Sequence, residues 1–145
     1  MLIKTKGDYG SLCSAKTAAD ILTNILKSEH EIDRDKEHFW TVGLDNQNRM
    51  KYIELVSLGT LDTGLVGTRE TFRMAILKGV KNLLCAHNHP SGKLEGSEQD
   101  DNTCRRLRDA GEILGIRVID FLILDGKYGY LSYREHNHIL GEGHE

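Results

Sequence analysis

The run NLLCA, residues 82–86, is the feature that most constrains the fold of this chain. It is short and apolar, without an alternation of apolar and polar residues, which is typical of a β-strand covered on both faces. Helical patterns precede and follow it along the chain. This arrangement favours an α/β domain in which helices sandwich a mixed β-sheet.

The residues before this run predict a helix, a hairpin and a second helix. Apolar residues recur at helical spacing from Ser14 to about Lys27. The apolar segments FWTVGL and RMKYIELVSLG flank DNQN, which is a turn signal, and they therefore predict a β-hairpin. The segment TRETFRMAILKG predicts a helix with Thr68 as its N-cap and Gly79 near its end.

The residues after the run complete the expected domain. The loop HPSGKLEG leads into a long helix from about Ser97 to Leu114, which Gly115 ends. IRVIDFLIL and YGYLSY, separated by the turn DGK, predict two more strands, and a short polar tail begins at about residue 134. The expected order is α-β-β-α-β-α-β-β, in a single domain over residues 1–145.

Charge and cysteine content limit the function classes. A net charge of -3 gives no electrostatic reason to expect nucleic-acid binding, although it does not exclude a local basic patch. No apolar run is long enough to span a membrane, and MLIKTKGDYG lacks the apolar region of a secretory signal. Cys13, Cys85 and Cys104 are odd in number and widely spaced, which favours a reducing compartment. We therefore expect a cytoplasmic protein; its oligomeric state is not predicted.

Two histidines follow the apolar run directly. Residues i and i+2 of an extended segment point to one side, so His87 and His89 share a side and Asn88 points away. Pro90 stiffens the chain where these side chains emerge. Two imidazoles on one side can hold one metal ion. Taken alone, however, such a pair is more often surface polarity than a ligand pair.

A third ligand is available in the segment SEQD. Zinc takes about four ligands, and a catalytic zinc keeps one position for water. Asp100 lies in the first turn of the long helix, and Ser97 can hydrogen-bond the ligands or a developing oxyanion. The alternative is that SEQD is an ordinary helix start, with an N-cap serine and acidic residues in its first turn. Both interpretations can hold together.

The full string HNHPSGKLEGSEQD fits H-x-H-x7-S-x2-D and resembles the JAMM metalloenzyme family, which includes zinc-dependent deubiquitinating peptidases. HNHPSG, EHFWTVGLDNQNR and AGEILGIRVIDFLIL are more similar to its bacterial RadC-like branch, from about Glu37 to Tyr133. The resemblance implies a JAB/MPN fold, which is cytidine-deaminase-like. It also implies Zn²⁺ ligands and a serine that donates a hydrogen bond in the transition state: His87, His89 and Asp100 as ligands, and Ser97 as the donor.

The family also uses a glutamate just before the first core strand as general base. Glu37 fits this place, although as part of DRDKEH it also fits a solvated linker. Glu70 in TRET is the competitor, at a helix N-terminus where an acid is favourable in any case.

The resemblance implies a zinc-dependent hydrolase that cleaves an amide or isopeptide bond in a peptide substrate of unknown identity. The alternatives are a DNA repair or recombination binding module with a structural metal, and a metal-dependent nuclease. A second HNH, residues 136–138, lacks the proline and the S-x-x-D. His144 lies nearby and makes a weak metal-binding tail the alternative, but we expect this second HNH to be part of a polar tail.

Overall fold

The computed structural model describes residues 1–3, 13–59, 66–136 and 139–141. These residues form a mixed α/β fold, so the expected fold class is confirmed at that level. The elements in chain order are β1 (Leu2–Ile3), α1 (Ala15–Lys27), α2 (Glu31–Arg34), β2 (Glu37–Leu44), β3 (Met50–Gly59), α3 (Thr68–Lys78), β4 (Asn82–Asn88), α4 (Glu98–Leu114), β5 (Arg117–Leu124), β6 (Tyr130–Ser132) and α5 (Tyr133–His136). This order contains three short elements that the expected one lacks: β1, α2 and α5.

The strands form a six-stranded sheet in the order β1-β3-β2-β4-β5-β6. Strands β4 and β5 are parallel, and every other neighbouring pair is antiparallel. Parallel neighbours require a crossover connection, which α4 supplies here. The sheet therefore places β4 at its centre, with β2 on one side and β5 on the other.

Two apolar cores lie on opposite faces of the sheet. Along β4, Leu84 and Ala86 belong to the core that α1 covers, whereas Leu83 and Cys85 belong to the core that α3 and α4 cover. All four of these side chains are buried. The prediction that the apolar run is a strand covered on both faces is therefore confirmed.

The N-cap expected at Thr68 is wrong by one residue. Gly67 is the N-cap of α3, its carbonyl accepts the Thr71 amide hydrogen at 3.0 Å, and no side chain caps the helix. The Thr68 hydroxyl instead accepts a hydrogen bond from Arg106 Nη1 at 2.7 Å. A contact with α4 therefore replaces the expected cap. By contrast, Ser14 and Ser97 are the N-caps of α1 and α4.

The end of the chain also differs from expectation. YGYLSY is not one strand, because β6 ends at Ser132 and Tyr133 begins α5. The buried carboxylate of Asp120 causes the turn, since it accepts hydrogen bonds from Ser132 Oγ at 2.6 Å and from the Arg134 amide at 3.1 Å. The first strand of the expected hairpin also differs from expectation, because β2 begins at Glu37, two residues before FWTVGL.

Among the described residues, no helix combines the length and the apolar character that crossing a membrane requires.

Candidate metal centre

His87 and His89 emerge together at the end of β4. The His89 amide donates to Leu124 O at 2.9 Å and so continues the pairing with β5 for one residue beyond the strand. The ring centroids of His87 and His89 lie 4.8 Å apart. His87 also packs against Phe121 of β5, with centroids 5.5 Å apart. The two imidazoles therefore converge on one point, as the i, i+2 spacing predicts.

Asn88, between them, does not join the pair. Its Oδ1 accepts from the His38 amide at 2.6 Å, and its Nδ2 donates to Lys36 O at 3.1 Å. These bonds hold the two residues that flank Glu37. Asn88 therefore fixes the start of β2 beside the histidines, a role that sequence reasoning missed because its partners are 50 and 52 residues away.

Helix α4 brings Asp100 to the same point. Ser97 and Asp100 form a capping box: the Asp100 amide donates to Ser97 Oγ at 3.0 Å, and the Ser97 amide donates to Asp100 Oδ2 at 2.9 Å. The carboxylate lies 2.9 Å from His87 Nε2 and 3.1 Å from His89 Nε2. One ligand atom from each of these side chains lies within 4.8 Å of the others. The ordinary helix-start interpretation of SEQD is thus correct, and the same carboxylate also reaches both histidines.

The donor set fits a divalent metal ion. His89 Nδ1 lies 2.8 Å from Lys93 O, and since a carbonyl only accepts, Nδ1 carries the proton and Nε2 is left for a ligand. His87 Nε2 is buried and, despite its 2.9 Å distance from Asp100 Oδ1, has no aligned hydrogen-bond partner. Two imidazole nitrogens and one carboxylate oxygen match the three protein ligands of a catalytic zinc site.

The acidic and histidine side chains of the site shift one another's pKa values. Burial opposes ionisation of Asp100, but the adjacent imidazoles of His87 and His89, 2.9 and 3.1 Å from its carboxylate, outweigh it and hold its pKa well below the usual range. The hydrogen bond to Asp100 raises the pKa of His89. Burial raises the pKa of Glu37, although the two histidines partly offset this effect. A carboxylate whose pKa moves towards neutrality is better suited to accept and return a proton.

A cleft of about 50 Å³ adjoins two of the three candidate ligands, His87 and Asp100. It has room for water-sized groups, and its lining includes Glu37, His87, Asp100 and Phe121. Glu37 Oε1 lies 3.8 Å from His87 Nδ1. Glu70 lines a different groove, between α3 and α4. The structure therefore brings Glu37, and not Glu70, to the ligands.

The remaining candidates lie elsewhere. Ser97 is exposed and is absent from the lining of this cleft, while its oxygen caps α4. Of the second HNH, His136 ends α5 and is exposed. His138 and His144 lie outside the described residues. Within the described ranges, the His87, His89 and Asp100 group is the one whose ligand atoms converge.

A mixed α/β domain with two histidines at the end of a central strand and an aspartate on the following helix has the features of a JAB-type metal-site domain. The sequence model of the RadC-like JAB domain matches residues 12–138, and the chain belongs to this family.

Two curated relatives are similar to this chain over two thirds or more of its length. The chain is 45% identical over 99 residues to a UPF0758 protein of Desulforudis audaxviator, covering 68% of this chain and 43% of the relative. It is 37% identical over 128 residues to a UPF0758 protein of Caldanaerobacter subterraneus, covering 88% of this chain and 53% of the relative. The chain thus spans about half the length of the curated relatives it matches.

Proposed function

We propose that this domain is a zinc-dependent hydrolase that cleaves an amide or isopeptide bond. The observation that carries the proposal is the convergence of His87, His89 and Asp100 beside a cleft that Glu37 also lines. Family membership supports metal-dependent hydrolysis in general. The choice of an amide bond rests on the resemblance to JAMM peptidases.

In this proposal His87 and His89 would hold zinc through Nε2, and Asp100 would hold it through one carboxylate oxygen. Imidazole nitrogen and carboxylate oxygen suit zinc, and three protein ligands are typical of a catalytic zinc site. Zinc, when bound, polarises a substrate carbonyl and lowers the pKa of water towards neutrality. The Lys93 carbonyl keeps the His89 ring oriented, because it accepts the Nδ1 hydrogen.

Glu37 acts as general base and then as general acid. It is half-buried in the cleft wall, and its raised pKa brings the carboxylate closer to a group that can both take and return a proton. The bonds from Asn88 to the backbone on both sides of Glu37 limit the positions that its carboxylate can reach. Glu37 therefore removes a proton from the attacking water and delivers it to the leaving amine.

From the resemblance to JAMM enzymes we assign Ser97, which is exposed beside Asp100 and does not line the cleft, a hydrogen bond to the oxyanion that develops on the substrate carbonyl. The Ser97 oxygen accepts the Asp100 amide hydrogen, so the hydroxyl hydrogen stays available for donation. Because the cleft is small, a peptide substrate would lie mainly across the surface outside it, where Ser97 is exposed.

Metal analysis of the purified protein tests the proposal. The wild type should contain about one zinc per chain, His87→Ala should lose it, and His136→Ala should retain it. His136 is the matched control because it belongs to the second HNH and is exposed. Absence of zinc from the wild type, or equal zinc in His87→Ala, would overturn the proposal.

Substrate class is tested with zinc-loaded protein, on peptide and isopeptide model substrates and on DNA in parallel. The expected result is hydrolysis of an amide bond that disappears in Glu37→Gln while zinc remains bound. Cleavage of DNA without peptide cleavage would instead support a nuclease. Salt-dependent DNA binding that survives loss of both ligand histidines would support a repair or recombination module.

A further inference from the structure

Tyr133 contacts the helix turn that supplies the aspartate ligand directly, and it contacts His87 indirectly through Phe121 of β5. Its side chain is fully buried. The hydroxyl donates to Asp101 Oδ1 at 2.7 Å, directly after the ligand Asp100. Its ring packs edge-on against Phe121 at 5.0 Å, and Phe121 in turn packs against His87. Tyr133 and Phe121 together thus connect the first turn of α4 with His87 at the end of β4.

The loop before α4 also closes onto the Tyr133 hydroxyl. A Cβ atom placed on Gly96 would lie 2.2 Å from that oxygen and 3.0 Å from the ring carbon that bears it. Gly96 and Asp101 flank the capping box formed by Ser97 and Asp100. The hydroxyl therefore contacts the residues on both sides of the turn that carries the aspartate ligand.

Hydrogen bonds made by the two residues next to Tyr133 fix its position in the chain. Ser132 Oγ and the Arg134 amide, on either side of it, both donate to the buried carboxylate of Asp120. A ring anchored in this way cannot move aside easily when its neighbours shift. Rigid support of this kind is what holds metal ligands at fixed positions.

From these contacts we infer that Tyr133 is a positioning residue for the metal centre, which fixes the Asp100 turn against the two histidines and so increases zinc affinity. The inference rests on the proposed zinc site. Tyr133 touches neither the metal position nor a substrate, so its effect passes through Asp101, Gly96 and Phe121. Residues that orient metal ligands typically change metal affinity by about 10–100-fold.

The primary test compares Tyr133→Phe with Tyr128→Phe. Each variant loses one hydroxyl, and Tyr128 is a matched control because its hydroxyl donates to Asn24, on α1. We expect zinc dissociation constants, measured by competition with a chromogenic chelator, to rise roughly tenfold in Tyr133→Phe and to stay unchanged in Tyr128→Phe. Unchanged zinc affinity in folded Tyr133→Phe overturns the inference, even if thermal stability falls.

A second variant tests the contact from the opposite side. Gly96→Ala pushes a methyl group against the Tyr133 hydroxyl and should also weaken zinc binding. Because Tyr133→Phe removes the atom that this methyl group meets first, Gly96→Ala should weaken binding less in that background than in the wild type. Equal losses in both backgrounds would show that the hydroxyl does not transmit the effect.

Amide hydrogen exchange of the metal-free protein separates this inference from the proposed function. Exchange in the first turn of α4, residues 98–101, should be faster in Tyr133→Phe than in the wild type and unchanged in Tyr128→Phe. If the wild type binds no zinc, the proposed function fails, and exchange still decides whether Tyr133 orders this turn. Unchanged exchange in Tyr133→Phe overturns the positioning role.

Discussion

The first turns of α3 and α4 carry similar acidic side chains, but the first turn of α4 lies beside two histidines and that of α3 does not. Each contains an acidic residue, Glu70 in α3 and Asp100 in α4, and both helices cover the same face of the sheet. Glu70 folds over its own N-cap region, where a Cβ on Gly67 would meet its carboxylate, and lines a groove between the helices. Asp100 lies within 3.1 Å of both histidines at the end of β4.

This difference shows that an acidic residue at a helix start becomes a candidate metal ligand only when a neighbouring strand places other ligands beside it. The favourable position near a helix N-terminus explains both residues equally well. The strand end that delivers two imidazoles distinguishes Asp100. The predictions below test whether that distinction has functional consequences.

The largest effect is expected from removing each acid in turn. Asp100→Ala should lower zinc affinity by more than about 100-fold, because it removes a ligand and leaves two histidines without their common partner. Glu70→Ala should change zinc affinity by less than about twofold, since it lines a separate groove. Calorimetric titration with zinc measures both, and a comparable loss in Glu70→Ala would remove the distinction.

The next largest effect should distinguish the two candidate general bases, Glu37 and Glu70. Glu37→Gln should lower kcat by about 10²–10⁴-fold with zinc still bound, since the amide cannot accept the proton. Glu70→Gln should leave kcat unchanged. Steady-state kinetics on a peptide substrate, with zinc content measured on the same samples, checks both. The reverse pattern would assign the base to Glu70.

Zinc binding should also depend on pH through His89. Its pKa is raised by the hydrogen bond to Asp100, so the proton competes with zinc from a pH above the ordinary value for histidine. Zinc affinity should therefore be greatest above that pKa and fall as the pH decreases through it, whereas Asp100 stays ionised because its pKa is lowered. Zinc titrations between about pH 5 and 8 measure this, and affinity that rises as the pH falls would contradict it.

The smallest effect concerns the caps. Ser97→Ala should lower the free energy of unfolding of the metal-free protein by about 1 kcal/mol, because Ser97 accepts the Asp100 amide hydrogen. Glu70→Ala should cost less than about 0.5 kcal/mol, since it makes no cap hydrogen bond. Denaturant unfolding compares the two, and an equal cost would show that the capping box of α4 is unimportant.

The sequence predicts local features of this fold better than contacts between distant residues. The apolar run 82–86 specifies β4 because its burial pattern is encoded in five adjacent residues. The cap of α3 is not at Thr68, because the Thr68 hydroxyl accepts a hydrogen bond from Arg106, 38 residues away. The last strand is shorter than its apolar pattern predicts, because Asp120, 12 residues before Ser132, ends it. Such contacts leave no periodic signal.

The same distinction applies to the site. His87 and His89 are recognisable from their i, i+2 spacing, and Asp100 from the resemblance to JAMM sequences. Asn88 and Tyr133 have no comparable signal, because their roles depend on partners that only folding brings close.

The most direct test of the zinc site is a crystal structure of the protein grown with zinc, with anomalous scattering measured on both sides of the zinc absorption edge. We expect one strong peak about 2.0–2.2 Å from His87 Nε2, His89 Nε2 and an Asp100 oxygen. No peak at this position, or a peak beside Glu70 instead, would contradict it.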